Sequence, residues 1–207
     1  MPQFPLQLVV YPGESLNLHI FEPRYRQLIN ECHAEGMTFG IPAFIDNRVM
    51  GIGTEVELVS IEKTFESGEM DVKTRGVGIY KINEFYDKAP AKLYAGAEFE
   101  RLAIDGTTDI TMANDVLDYL EELYSILDIK REIPKDVSEL NTYDLAHHIG
   151  CNIEQEYEIL TIPDEYGRLK FIYNHLQNLL PIVQETEMLR KKAQMNGHFK
   201  NILPPDF

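Results

Sequence analysis

The hydrophobic pattern of this chain changes period once. Up to residue 104 the apolar residues recur largely at every second position, and from residue 105 they recur at helical spacing. A period of two puts alternate side chains on one face of a strand, whereas a period of about 3.6 puts them on one face of a helix. Both periods in succession describe an α+β protein: a β-rich domain over 1–104 and a helical bundle over 105–207. At 207 residues the chain is long enough to bury a core in each part.

Local signals subdivide the two halves. Leu6, Leu8 and Val10 alternate with Gln7, Val9 and Tyr11, which predicts a strand closed by the turn at Pro12-Gly13. Leu16, Leu18 and Ile20 predict the next. Tyr25, Leu28, Ile29 and Cys32 then share one helical face over 24–35, with Gly36 as the left-handed stop. FGIPAFI (39–45) reads as a strand that Pro42 confines to an edge or a bulge. Asp46-Asn47 turns the chain into a β run over 54–65, and the turn Glu66-Ser67-Gly68-Glu69 leads to its return over 70–86, with Val72, Val77, Ile79 and Ile82 inward. A last strand ends near Ile104. Beyond Asp105-Gly106-Thr107-Thr108 come a helix over 109–129, a short one over 143–149 capped by Thr142, and one over 153–160 with the capping box Asn152-x-x-Gln155. The final helix opens at Pro163-Asp164 and buries Tyr166, Leu169, Ile172, Tyr173, Leu176, Leu179, Leu180 and Val183. Pro181 is expected to bend or break it, and Asn196-Gly197 to stop it, with the tail docked by Phe199 and Ile202 or loose.

Charge narrows the function. The formal net charge is −15, with −5 in residues 1–104 and −10 in the remainder. A field of that sign repels phosphate backbones, so nucleic acid is not an expected partner. The opening MPQFPLQLVV lacks the basic and long apolar segments of a signal peptide, and no apolar run would span a bilayer, so a cytoplasmic protein without a membrane partner is expected. Cys32 and Cys151 have no Cys or His at ligand spacing and read as free thiols. No Gly is followed by Lys, which removes a phosphate-binding loop. Gly51-Ile52-Gly53 and Gly76-Val77-Gly78 lie within strands, where glycine serves a bulge or a close backbone approach. Adjacent His147 and His148 point about 100° apart on a helix and cannot share a metal. No serine sits in a nucleophile-elbow pattern. No cofactor, metal or catalytic residue is therefore assigned.

The densest polar cluster is IFEPRYRQLI (20–29). A carboxylate, a guanidinium and a phenol within four residues could be a catalytic site. Each also has a structural role at a strand-to-helix joint. Pro23 suits the first helical position, Glu22 can accept orphan N–H groups there, Phe21 can staple the entry, Arg24 can reach back with its fork of donors, and Tyr25 leads the apolar face. Glu22, Pro23 and Arg24 are accordingly read as a structural joint.

The run F-P-L-Q-L-V-V-Y-P-G-E-S-L-N-L-H-I-F-E-P-R-Y-R-Q-L-I resembles the opening of the Lon N-terminal domain family in a stand-alone form. Phe4-Pro5-Leu6, Tyr11-Pro12-Gly13 and Leu16 through Tyr25 match its pattern in order and spacing, with Tyr11 where phenylalanine is usual. Gly51-Ile52-Gly53-Thr54, Arg75-Gly76 and Asp164-x-x-x-Arg168-Leu169 resemble later, looser segments. The resemblance implies a PUA-like β-barrel followed by a helical bundle with a long last helix. It also implies a region that recognises protein substrates and helps assembly without doing chemistry. ATPase and Ser-Lys protease segments are not found in these residues, so proteolysis does not carry over.

Three functions remain open. The first is a binding module for unfolded or extended polypeptide, an adaptor that could work with a protease or ATPase in trans. Its candidate contacts are Phe4, Phe21, Arg24, Tyr25, Phe39 and Phe44, each of which could equally be a core or joint residue. An RNA-binding PUA-like protein and an unrecognised enzyme are the alternatives.

Overall fold

Asp46 and Asn47 both adopt left-handed backbone, at φ 49° and 59°, and so close a tight hairpin between two strands. In the computed structural model, residues 1–105, 109–134, 136–137 and 140–199 are described, the last five as helix backbone. The hairpin joins β3 (Phe39–Ile45) to β4 (Arg48–Thr64), and a second, through Gly68 at φ 82°, joins β4 to β5 (Met70–Tyr86). The other strands are β1 (Pro2–Gln3), β2 (Ser15–Ile20) and β6 (Ala95–Leu102). Their order is β2-β5-β4-β3-β1-β6, and β6 also pairs with β5. The sheet therefore closes through β5-β4-β3-β1-β6, while β2 pairs only with the first half of β5. β1 is parallel to β3, and the remaining pairings are antiparallel.

Inside this closure the Tyr80 ring is fully buried and its hydroxyl donates to Gln3 Oε1 at 2.5 Å. A Cβ at Gly40 or at Gly53 would fall 2.2 Å or 2.7 Å from the Tyr80 oxygen, so two strands give up side chains to admit the ring. The core continues beneath α1 (Pro23–Glu35), whose Tyr25, Leu28, Ile29 and Cys32 pack with Phe4, Val10, Ile20, Phe39, Val56 and Val72. Each large apolar side chain buried here contributes about 1.5–3 kcal/mol. Gly36 ends α1 at φ 65° and returns its N–H to Cys32 O at 2.9 Å, as expected of it.

Several strand expectations need correction. Residues 6–11 do not form a strand: among the described residues their one bridge is Leu6–Ala43, and Val9, Val10 and Tyr11 are all buried, which a strand with one face in solvent does not allow. Pro42 does mark a bulge, because the β3–β4 register shifts between Pro42 and Phe44. Val77 points outward at 45% exposure, since Val56 pairs with Gly76 and Glu55 with Gly78, leaving Val77 as the extra residue of a bulge. Gly76 meets Tyr11 O, 2.2 Å from where its Cβ would stand, so close backbone approach is its role.

The helices are α2 (Ile110–Leu127), α3 (Thr142–Ala146), α4 (Ile153–Thr161) and α5 (Glu165–Phe199). α4 carries the expected capping box between Asn152 and Gln155. α3 is capped by Asn141, not Thr142, because Asn141 accepts from Tyr143 N at 3.1 Å while the Thr142 hydroxyl donates to Glu165. α5 runs through both Pro181 and Asn196-Gly197. Pro181 lies on an exposed face, and so does Gln177, whose carbonyl it deprives of a partner, so that carbonyl is not sealed in a core. Tyr166, expected on the buried stripe of the final helix, sits in its first turn and is exposed. The tail beyond 199, Ile202 included, lies outside the described residues.

Two compact units result, Met1–Thr107 with Asn141–Glu165, and Thr108–Leu140 with Tyr166–Phe207. The expected division into 1–104 and 105–207 differs from this: α3 and α4 belong with the strands. Tyr157 of α4 accepts Ile52 N–H at 3.1 Å, and Asp105 N–H bonds Pro163 O at 3.1 Å. In the second unit, Val116, Leu120 and Leu123 of α2 and Leu169, Ile172 and Leu176 of α5 are buried.

Candidate functional site

The joint after β2 is built differently from the expectation. Pro23 does occupy the first turn of α1, and the Glu22 carbonyl accepts Tyr25 and Arg26 N–H at 3.0 and 2.9 Å. The Glu22 carboxylate makes no cap, however. Arg24 Nε takes it instead, at 2.8 Å, because a guanidinium two residues on is a stronger donor than a backbone amide. Phe21 does not staple the helix, since it is 60% exposed and the residue one turn on is Arg26. The Arg24 guanidinium covers the Tyr25 ring, 4.4 Å from its centroid. Burial pushes the Tyr25 phenol above its usual range, with Arg24 pulling the other way.

The six candidate contacts divide into three groups. Phe4 and Phe39 are core residues, with Phe4 stacked on Tyr25 at 3.7 Å between centroids and 6.4 Å from Phe39. Phe21 stands apart on the surface beside His19. Arg24, Tyr25 and Phe44 come together, with Pro5, Val49, Phe85, Asp87 and Ala95, around an open cleft of about 470 Å³. Phe44 and Val49 reach it from the β3–β4 hairpin and Phe85 from the end of β5. Arg24 and Asp87 place one charge of each sign among apolar walls. Among the described lining residues there is no serine, cysteine or histidine to act as a nucleophile with its base.

One rim of the cleft is held by the segment 87–94, which crosses α1. Lys92 Nζ lies 2.8 Å and Tyr94 Oη 2.5 Å from Glu31 Oε2, and Leu93 N–H donates to Gln27 at 2.9 Å. These bonds hold the Glu31 carboxyl below its usual range, Lys92 first and then Tyr94. Phe85, Asp87 and Ala95 were not expected as site residues. Their signal would have been the return of β5 and the start of β6 to the same end of the barrel, which no local pattern encodes.

A second polar cluster also escaped the sequence reading. His147 Nδ1 lies 2.8 Å from Glu156 Oε1, and Nε2 lies 3.2 Å from Glu14 Oε2. Hydrogen bonding to Glu14, with a further bond to Glu156, raises the imidazole to about 9 against the opposing effect of burial. Beside it, the buried Tyr11 ring stacks on Tyr143 at 5.1 Å, and its hydroxyl donates to Glu156 O at 2.8 Å. The cluster pins the loop after Pro12-Gly13 to α3 and α4. Burial pushes the Cys32 and Cys151 thiols up to about 12, so neither is an activated nucleophile. Among the described residues, no group of three or more His, Cys, Asp or Glu is placed to hold a metal ion, and no helix is long and apolar enough to cross a membrane.

Residues 1–178 match the profile of the ATP-dependent protease La (LON) substrate-binding domain. The chain belongs to that family. Solved Lon domains share its fold. A Lon N-terminal domain protein from Xanthomonas campestris superposes with a TM-score of 0.62 at 23% identity, over 82% of this chain and 94% of the other. The N-terminal domain of a Mycobacterium avium complex Lon protease gives 0.63 at 17% identity, over 85% and 97%. No curated protein matches the chain. The β-rich Lon fold with a long last helix is thus the one expected from the opening motif, and Arg24 of that motif lines the cleft.

Proposed function

We propose that this Lon substrate-binding domain is a non-catalytic recognition module, and that it grips extended or unfolded polypeptide at the cleft beside the α1 joint. The observation that carries the reading is the cleft's make-up: aromatic and aliphatic walls from Pro5, Phe44, Val49 and Phe85, oriented by Arg24 and Asp87, in a member of a substrate-binding family. Such a surface suits apolar side chains that a folded protein hides and an unfolded one exposes. The Arg24 fork and the Asp87 carboxylate would fix the orientation of the captured main chain or its charged neighbours. As an adaptor, the module would hand the captured chain to a protease or ATPase acting in trans.

The test is retention of a permanently unfolded, reduced and alkylated protein on the immobilised chain. We expect retention above that of an unrelated acidic protein of similar size, no retention of the same probe in its native fold, and at least about a tenfold loss in Phe44→Ser and Phe85→Ser. Equal retention by the acidic control, or by both serine variants, would overturn the assignment.

A further inference from the structure

β2 is an open edge. Among the described residues it pairs with β5 alone, through Ser15↔Arg75 to Ile20↔Met70 without a register shift. The side on which its peptide groups point follows from two contacts. Gly76 N–H donates to Glu14 O at 2.9 Å, and the Thr74 hydroxyl reaches Leu16 O at 2.8 Å, so even-numbered residues turn their peptide groups toward β5. Alternation in an antiparallel ladder then turns the N–H and C=O groups of Asn17 and His19 outward. Among the described residues, none bonds to those outward groups. The strand also lacks the usual guards of an exposed edge: SLNLHI contains no proline, no lysine and no bulge.

We propose that this edge accepts an extended segment of a bound polypeptide as an added strand, and that the segment alternates apolar with basic residues. The inference rests on the polypeptide-binding reading for the kind of ligand and adds where, and through which contacts, it docks. An unpaired strand edge complements only another extended backbone. One face of an added strand would extend the row of Leu16 and Leu18, which are half-buried at the margin of the core. The other face would continue the sheet face that carries the shallow cleft of about 520 Å³, which Asn17 and His19 border from β2 and Glu62, Asp71 and Lys73 line from the neighbouring strands. Two carboxylates, Glu62 and Asp71, outnumber the one lysine, Lys73, in its lining. Asp71 and Glu69 stand 2.7 and 3.7 Å from His19, and Lys63 is drawn onto the Phe65 ring at 4.3 Å. The chain's net charge of −15 adds a long-range field of the same sign. That field also selects between occupants. A second copy would bring SLNLHI with no lysine or arginine and a further −15, whereas a basic segment is attracted.

The experiment uses a labelled short peptide alternating valine with lysine, and its counterpart alternating valine with glutamate. Asn17→Pro combined with His19→Pro removes two outward N–H groups and leaves the ladder to β5 intact, because proline is tolerated where the N–H faces solvent. We expect the lysine peptide to bind, to shift the amide resonances of 15–20, to weaken with salt, and to bind the double variant about tenfold or more weakly. A lysine peptide N-methylated on alternate amides, unable to donate to the edge, should lose binding to the unaltered chain, so the result does not depend on the variant folding. The proposal is overturned if the double variant or the methylated peptide binds within about twofold of its reference. It is overturned equally by equal affinity for the glutamate peptide, by shifts confined to the cleft at Phe44 and Phe85, or by a dimer that the prolines dissolve. Should the unaltered chain retain unfolded protein while these edge tests fail, only the edge is lost; should it retain none, the recognition reading falls as well.

Discussion

His147 offers a quantitative test of how the helical segment 141–165 is attached to the strands. Its imidazole lies between Glu14 and Glu156, 27% of its side chain is exposed, and it titrates at about 9 instead of 6.5. A folded-state value above the unfolded one means that the proton stabilises the fold. The contribution is complete below the unfolded value of 6.5 and is lost as pH rises through about 9. A shift of that size corresponds to about 3 kcal/mol at low pH, of which roughly 2.5 kcal/mol remains near pH 7 and almost none near pH 10. Other groups titrate in the same window, so the quantity to measure is the stability difference between the native chain and His147→Gln. Urea unfolding followed by circular dichroism should give a difference that shrinks by roughly 2–3 kcal/mol between pH about 7 and about 10. The His147 ring resonance should titrate well above the ordinary histidine range in the same samples. A difference constant to within about 0.5 kcal/mol, or a ring titrating near its ordinary value, would refute the clasp.

Two further outcomes follow from packing and from the joint. Gly40→Ala, whose Cβ would lie 2.2 Å from the Tyr80 oxygen, should cost about 1–3 kcal/mol in urea unfolding, whereas Gly78→Ala, with nothing within 4 Å, should cost under about 0.5 kcal/mol. Equal costs would mean that Tyr80 does not fill the barrel between the glycines. Glu22→Ala and Arg24→Ala should each change stability by under about 1 kcal/mol, because their ion pair is exposed and Glu22 forms no side-chain cap. A loss above about 2 kcal/mol in Glu22→Ala would show a carboxylate bonded into the helix start after all.

What was legible in the sequence was local. Gly36 as a left-handed stop, the Asn152–Gln155 box, the Pro42 bulge and the return strand over 70–86 each depend on a few neighbouring residues, and each stands as read. Failures came where a distant partner intervened. Residues 6–11 carry a strand's alternation, yet Val9, Val10 and Tyr11 are all buried, Val10 in the core beneath α1 and Tyr11 against Tyr143 of α3 and Glu156 of α4. Pro181 carries a bend-or-break signal, and α5 is not broken there, on an exposed face. At the candidate site, the opening motif pointed to Arg24 and Tyr25, but Phe85 and Asp87 join them only through the closure of the sheet, and Phe4 and Phe39 sink into the core.

By itself the sequence determined the order and kind of most elements, the segment 6–11 excepted, since backbone period, caps and turn residues act within one or two turns of chain. Tertiary structure decided which residues meet: Glu14 with His147 across 133 positions, Gln3 with Tyr80 across 77, and β2 left with one edge unpaired. Those meetings depend on how strands close and which helices cover them, and a side chain carries no local record of a partner that only closure brings within reach.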